Sequence, residues 1–179
     1  MYNLVIFQGP SGVGKTTLQS QMELEKVVTY TSRQPRPNEI NGVDYYFSSR
    51  QEIISLYEKG NLLEYTEYNG NIYATSLVSI QEVFNNKHIA SIVLDNNGTQ
   101  KLKEMFGNQI LVIGVYASYQ ECKQRLTKRF TEEEALDRLL SYEDEVNDLF
   151  NNSDIIICNA NNNWETTLKV INNLKVLLK

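Results

Sequence analysis

Residues 9–17 read GPSGVGKTT and follow the apolar run LVIF after a single residue, Gln8. Glycine is the costliest residue to order, so three of them in one short turn imply a backbone that must approach something closely. Gly9 to Thr16 fit the spacing G-x-x-x-x-G-K-[ST]. The stretch Gly9, Pro10, Ser11, Gly12, Val13, Gly14, Lys15, Thr16 and Thr17 reads as a cradle for a nucleoside triphosphate. In such a loop, successive N–H groups surround an anion and the following helix adds partial positive charge. Lys15 can reach the β- and γ-phosphates, and the Thr16 hydroxyl can ligate Mg²⁺.

The cradle leaves the phosphoryl acceptor open. Residues 29–47, TYTSRQPRPNEINGVDYYF, suggest one. Pro35 and Pro37 favour an extended, polyproline-like path with about three residues per turn, which turns Arg33 and Arg36 to one side. Two guanidinium groups on one side form a clamp suited to phosphate. Tyr45 and Tyr73, expected at loop edges, could add hydroxyl donors.

These residues need elements to hold them. Strand patterns fit 3–7, 27–31, 89–95, 109–116 and 154–158. Helical patterns fit Lys15 to about Glu25, 48–60, 76–86, 98–106, 118–129, 132–150 and 163–178. Ser49 and Glu52 stand in capping-box spacing. Residues 62–74 alternate around Asn69-Gly70, a hairpin signal. Long helices between apolar strands imply an α/β fold: three layers around a mainly parallel sheet, interrupted by a small antiparallel insertion.

Composition narrows the function classes. The chain has 179 residues, 41% hydrophobic and 22% charged, as expected of one globular domain. A formal net charge of -5 argues against broad nucleic-acid binding. No apolar stretch approaches a membrane span, and the N-terminus lacks the features of a signal peptide. Cys122 and Cys158 lie far apart and are expected as reduced thiols in a cytoplasmic protein. His88 is the only histidine, which leaves no two-histidine metal site.

The segments GPSGVGKTT, TYTSRQPRPNEINGVDYYF, LLEY and NIYATS follow one another as they do in guanylate kinases, and the chain resembles that family over nearly its whole length. The resemblance implies a P-loop core (1–31, 76–117 and 146–179), a nucleoside-monophosphate-binding insertion (32–75) and a helical lid (118–145). It implies a transfer from ATP, with Mg²⁺, to GMP or dGMP in a monomer or homodimer. Arg33, Arg36, Tyr45 and Tyr73 would hold the GMP phosphate. Glu64 would read the guanine edge with Thr29 and Thr75, and Asp95 would lie on the same site. Arg125, Arg129 and Arg138 would close over the triphosphate, with Lys15, Arg33, Arg129 and Arg138 at the reacting phosphates. Asn159 would meet adenine. The chain departs from the family pattern in a short first helix, in Val93 where a first aspartate is usual, in Ala74 for glycine, and in a shortened lid. Two other readings fit the residues less well: a P-loop kinase with another acceptor, such as a ribose bisphosphate, and a non-catalytic protein-binding domain of the same fold.

Overall fold

The computed structural model describes residues 2–68, 70–86 and 88–178. Among these, nine strands form two sheets. The strands are β1 (Leu4–Gln8), β2 (Glu25–Lys26), β3 (Thr29–Thr31), β4 (Tyr45–Phe47), β5 (Leu62–Tyr68), β6 (Asn71–Ser76), β7 (Ala90–Val93), β8 (Ile110–Tyr116) and β9 (Ile155–Cys158). The helices are α1 (Lys15–Met22), α2 (Arg50–Glu58), α3 (Leu77–Asn85), α4 (Asn96–Phe106), α5 (Tyr119–Leu126), α6 (Glu132–Asp137), α7 (Tyr142–Asn152) and α8 (Trp164–Leu178).

The larger sheet runs β2-β7-β1-β8-β9, with every neighbour parallel. β1 is buried along its whole length, as a central parallel strand covered on both faces must be. Its side chains alternate between two cores. Val5 and Phe7 pack with Leu18, Ile113, Leu126, Leu139 and Ile171. Leu4 and Ile6 pack with Ile80, Ile92, Leu102 and Val112 on the other face. The smaller sheet runs β4-β3-β6-β5. Its pairs are antiparallel except β3–β4, which is parallel. Ile53 of α2 closes its own small core over Leu62, Ile72 and Ala74.

Several element boundaries differ from those the sequence pattern predicts. The first helix ends at Met22 rather than near Glu25, because Glu23 turns left-handed (φ 54°) and the chain must then deliver β2 to the sheet edge. The expected strand 27–31 is shortened to 29–31 and belongs to the second sheet, while a separate short strand at 25–26, inside the stretch expected as helix or left unassigned, pairs with β7. That sheet therefore begins at Thr29, three residues before the expected insertion. Tyr45 opens β4 at the end of the preceding loop, as expected, whereas Tyr73 lies inside β6, where its neighbour Ala74 is a buried strand residue. The expected helix 132–150 is two helices. Between them the chain tightens into short turns, and Tyr142 sinks into the core with its hydroxyl donating to the Ala117 carbonyl at 2.8 Å. The hairpin joins β5 to β6 as expected, although Asn69 itself lies outside the described residues. The capping box at Ser49 and Glu52 is formed. His88 is exposed between α3 and β7, and Cys122 and Cys158 carry free thiols. Among the described residues no helix is long and apolar enough to cross a membrane.

Candidate active site

A cavity of about 960 Å³ opens where the carboxyl ends of β1, β7 and β9 face the second sheet. Gly9, Ser11, Gly12, Gly14, Lys15, Thr16 and Thr17 line one end. Pro10 and Val13 do not line it, and Val13 is fully buried in the core. Gly14 caps α1 with φ 97° and no side-chain bond, and the first turn holds no acidic residue. By contrast, α2, α5 and α6 each begin with a complete capping box. The first N–H groups of α1 are thus left for a ligand. A Cβ on Gly14 would meet the Asn159 amide nitrogen at 2.5 Å, so this wall leaves room for hydrogen only.

Lys15 folds back on its own loop, donating to the carbonyls of Gly9 (2.5 Å) and Pro10 (2.9 Å). Burial pushes its pKa down, against the opposing charges of Glu145, Cys122 and Asp95. Arg125 braces the loop: it donates to the carbonyls of Gly12 (3.3 Å), Val13 (3.2 Å) and Asn159 (2.7 Å) and to the side chain of Asn161. Asn159, buried after β9, donates to the Val13 carbonyl at 2.8 Å. Both therefore tie the cradle to the loop after β9, and Trp164, at the start of α8, also lines the cavity.

The opposite wall comes from the second sheet. Glu64, on β5, is 3% exposed. Its Oε1 accepts from the Thr75 hydroxyl at 2.7 Å, and its Oε2 from the Thr66 hydroxyl at 3.4 Å. Burial raises its pKa, which the Thr75 bond opposes and nearby Asp95 reinforces. Thr29, Tyr45, Tyr73 and Thr75 line the same wall. The Tyr45 and Tyr73 rings meet edge-on at 6.2 Å, and burial holds the Tyr45 phenol above its usual pKa, so it stays a neutral donor. Asp95 lines the cavity while its Oδ1 caps α4, accepting from the Gly98 N–H at 2.8 Å. Val93 also lines the cavity.

The two arginines of the expected clamp part company. Arg36 lines the cavity; Arg33 does not. Arg33 is gripped by Glu39 through two bonds of 2.9 Å, and also donates to the Gln34 carbonyl. Burial works to lower the Arg33 pKa, but the bonds and charge of Glu39, together with Tyr73, outweigh it and the net shift is upward. Glu39 further accepts from the Arg36 backbone N–H at 2.7 Å. Arg129 and Arg138 line the cavity from the helical side, and the Arg138 guanidinium lies 4.1 Å from the centre of the Phe130 ring.

Sequence reasoning missed Glu39, Thr66, Phe130 and Glu145. Glu39 stands three residues after Arg36, a spacing that could have flagged a turn closed by a carboxylate. Thr66 shares a strand face with Glu64 by simple alternation. Glu145 lines the cavity from α7, accepting from the Ser141 hydroxyl at 2.5 Å, and burial raises its pKa. Nothing local in the sequence marks it or Phe130.

A phosphate cradle on a parallel sheet, facing a second wall with its own cation and a buried carboxylate, defines a P-loop nucleotide-binding protein with room for a second ligand. The comparisons are more specific. The guanylate kinase family model matches residues 1–176, and the chain belongs to that family. It is 35% identical over 135 residues to a guanylate kinase of Lactobacillus johnsonii, which covers 72% of this chain and 66% of that one. It is 31% identical over 168 residues to one of Shouchella clausii, covering 90% and 82%. The matched part thus spans just under two thirds of the first of these relatives and more of the second. The crystal structure of guanylate kinase from Anaplasma phagocytophilum superposes with a TM-score of 0.71 at 27% identity, covering 98% of this chain and 85% of that one.

Proposed function

We propose that the chain transfers the γ-phosphoryl group of ATP to GMP or dGMP, forming ADP and the corresponding diphosphate. The observation that carries this reading is Glu64, a carboxylate buried across the cavity from the P-loop, in a chain of this family. Guanine presents N1–H and N2–H side by side, and a carboxylate accepts both. Adenine presents a lone pair at N1, which such a group repels. A site built on buried polar pairs can reject the wrong base by about 10⁴–10⁵-fold.

The acceptor oxygen is already anionic near neutral pH, so no general base is required and the lone, distant His88 is no obstacle. What the chain supplies is alignment and charge. Two unit charges 4 Å apart repel by about 4 kcal/mol at an effective dielectric near 20. Lys15 and the N–H groups of α1 would hold the donor phosphates, Arg36, Tyr45 and Tyr73 the acceptor phosphate, and Arg129 and Arg138 the groups between them. Arg33 would act at the edge of this set, already partnered by Glu39. Thr16, exposed at the cavity floor, supplies a hydroxyl suited to Mg²⁺. Among the described residues no cluster of three acidic, histidine or cysteine side chains could hold a metal alone, so the ion would arrive with the triphosphate. Mg²⁺ would neutralise charge on the β- and γ-oxygens. The adenine would lie by Asn159 and Arg125.

A coupled ADP-release assay across GMP, dGMP, AMP, UMP, CMP and a ribose bisphosphate tests the reading. GMP or dGMP should exceed the rest by orders of magnitude, and a ribose bisphosphate as the best substrate would sink it.

The raised pKa of Glu64 adds a pH signature. The carboxylate must be ionised to accept from guanine, and burial shifts its protonation to higher pH than an ordinary glutamate. The kcat/KM for GMP should therefore fall on the acid side as Glu64 takes up its proton, earlier than a solvent-exposed glutamate would allow. The GMP phosphate titrates nearby as well, near pH 6. Glu64→Gln separates the two: the variant should lose the limb due to the carboxylate and keep the one due to phosphate. An unchanged acid limb in that variant would exclude Glu64 as its source.

A further inference from the structure

One aromatic ring in the cavity lies beneath two cations. The guanidinium carbons of Arg36 and Arg138 stand over the Phe130 ring, 5.8 and 4.1 Å from its centre. The two arginines are far apart in sequence. Arg36 belongs to the loop before β4, beside the wall that holds Glu64, and Arg138 caps the end of α6. Phe130 follows α5 and packs from behind on the core cluster that includes Leu126, Ala135 and Leu139, with its backbone N–H bonded to the Leu126 carbonyl at 3.0 Å. A second bridge runs beside it: the Tyr68 hydroxyl of β5 donates to the Arg138 carbonyl at 3.1 Å.

We propose that Phe130 is a positioning residue, which holds Arg36 and Arg138 at a set separation so that occupation of the acceptor wall and of the donor loop reinforce one another. Two guanidinium groups aimed at one cavity repel, and each needs a resting partner until an anion arrives. The ring face offers negative potential to both without neutralising either. Arg36 has a rival partner in Glu39, whose Oε1 lies 3.9 Å from its Nη1. Without the ring, Glu39 would draw Arg36 aside and an incoming phosphate would have to recover it. The core contacts behind Phe130 make the ring a fixed point, so an anion that orders Arg36 against it also orders Arg138.

The inference rests on the donor and acceptor reading above. Trp164, the one tryptophan in the sequence, lines the same cavity and serves as the fluorescence reporter. GMP affinity is measured with and without a non-hydrolysable ATP analogue in wild type, Phe130→Leu and Phe130→Tyr. Wild type should bind GMP more tightly when the analogue is present. Phe130→Leu keeps the apolar packing and loses the ring, so it should lose about fivefold of that gain, the scale of one exposed cation–π contact. Its affinity for GMP alone should fall by no more than about twofold, because the Glu39 pair from which the phosphate must recover Arg36 is long and partly exposed, hence weak. Phe130→Tyr keeps the ring face and should retain the gain. Thermal melts check folding, and Phe130→Met repeats the measurement should leucine destabilise the chain. A purely structural role would move affinity or melting without moving the gain. No gain in wild type, a gain preserved in Phe130→Leu, or equal loss in the tyrosine variant would each overturn the proposal. A wild-type chain that binds ATP but phosphorylates no guanine nucleotide would instead overturn the functional reading.

Discussion

Lys15→Ala should lower turnover on the order of 10²–10⁴-fold while the protein remains folded, the scale for losing a charge aimed at the transition state. Among the described residues the ammonium donates to the Gly9 and Pro10 carbonyls of its own loop. Those carbonyls line or adjoin an open cavity and can turn to water. The cost to stability should thus be about 1 kcal/mol or less, as for an ordinary partnered hydrogen bond. Gly14 and the uncapped start of α1 would remain, so part of the triphosphate grip would persist and the loss should fall mainly on kcat. Arg125 would also still brace the loop through Gly12 and Val13. Circular dichroism and a denaturation midpoint establish folding, and steady-state kinetics read the rest. A folded variant with near-normal turnover would remove Lys15 from the chemistry.

Glu64→Gln should separate base selection from phosphate grip. The P-loop is common to many nucleotide-binding proteins and cannot choose guanine, and Arg36 in the proposed role would address a phosphate that every monophosphate carries. Glutamine keeps the volume of Glu64, and its oxygen can still accept from Thr75, so the buried wall should hold. It removes the charge and one acceptor, and turns an amide donor toward the two donors of guanine. The kcat/KM for GMP should fall by about 2–4 kcal/mol, the range for mispairing a charged hydrogen bond. AMP should suffer less, or improve, because its N1 lone pair no longer meets a negative charge. Arg36→Ala should act on all acceptors alike and leave the GMP/AMP ratio nearly unchanged. Equal changes of that ratio in the two variants would remove Glu64 as the base reader.

The cradle was legible because it is local. Its glycines, Lys15 and Thr16 are close together in the chain, with an apolar run before them and a short helix directly after them. The parallel sheet was legible for a similar reason: alternating strand and helix patterns leave few ways to bury both. Glu64 and Thr75 were reached through resemblance, yet only the folded protein pairs them, at 2.7 Å across the β5–β6 ladder. Boundaries failed where tertiary contacts outweigh local preference. Residues 132–150 carry a continuous helical pattern, but burial of Tyr142 against Ala117 breaks it and turns Arg138 toward Phe130.

The arginine pair marks the same division. A polyproline-like path would turn Arg33 and Arg36 to one side, an expectation drawn from local geometry alone. Which of the two reaches the cavity depends on Glu39, which binds the Arg33 side chain and the Arg36 backbone together. Short-range spacing and the period of burial were enough to read the phosphate cradle, the layered α/β fold and the supply of cations from the chain. The tertiary structure decided which cations stay available, what raises the pKa of Glu64, and how Phe130 meets two arginines a hundred residues apart. Desolvation and side-chain pairing depend on which surfaces meet, and no local pattern carries that information.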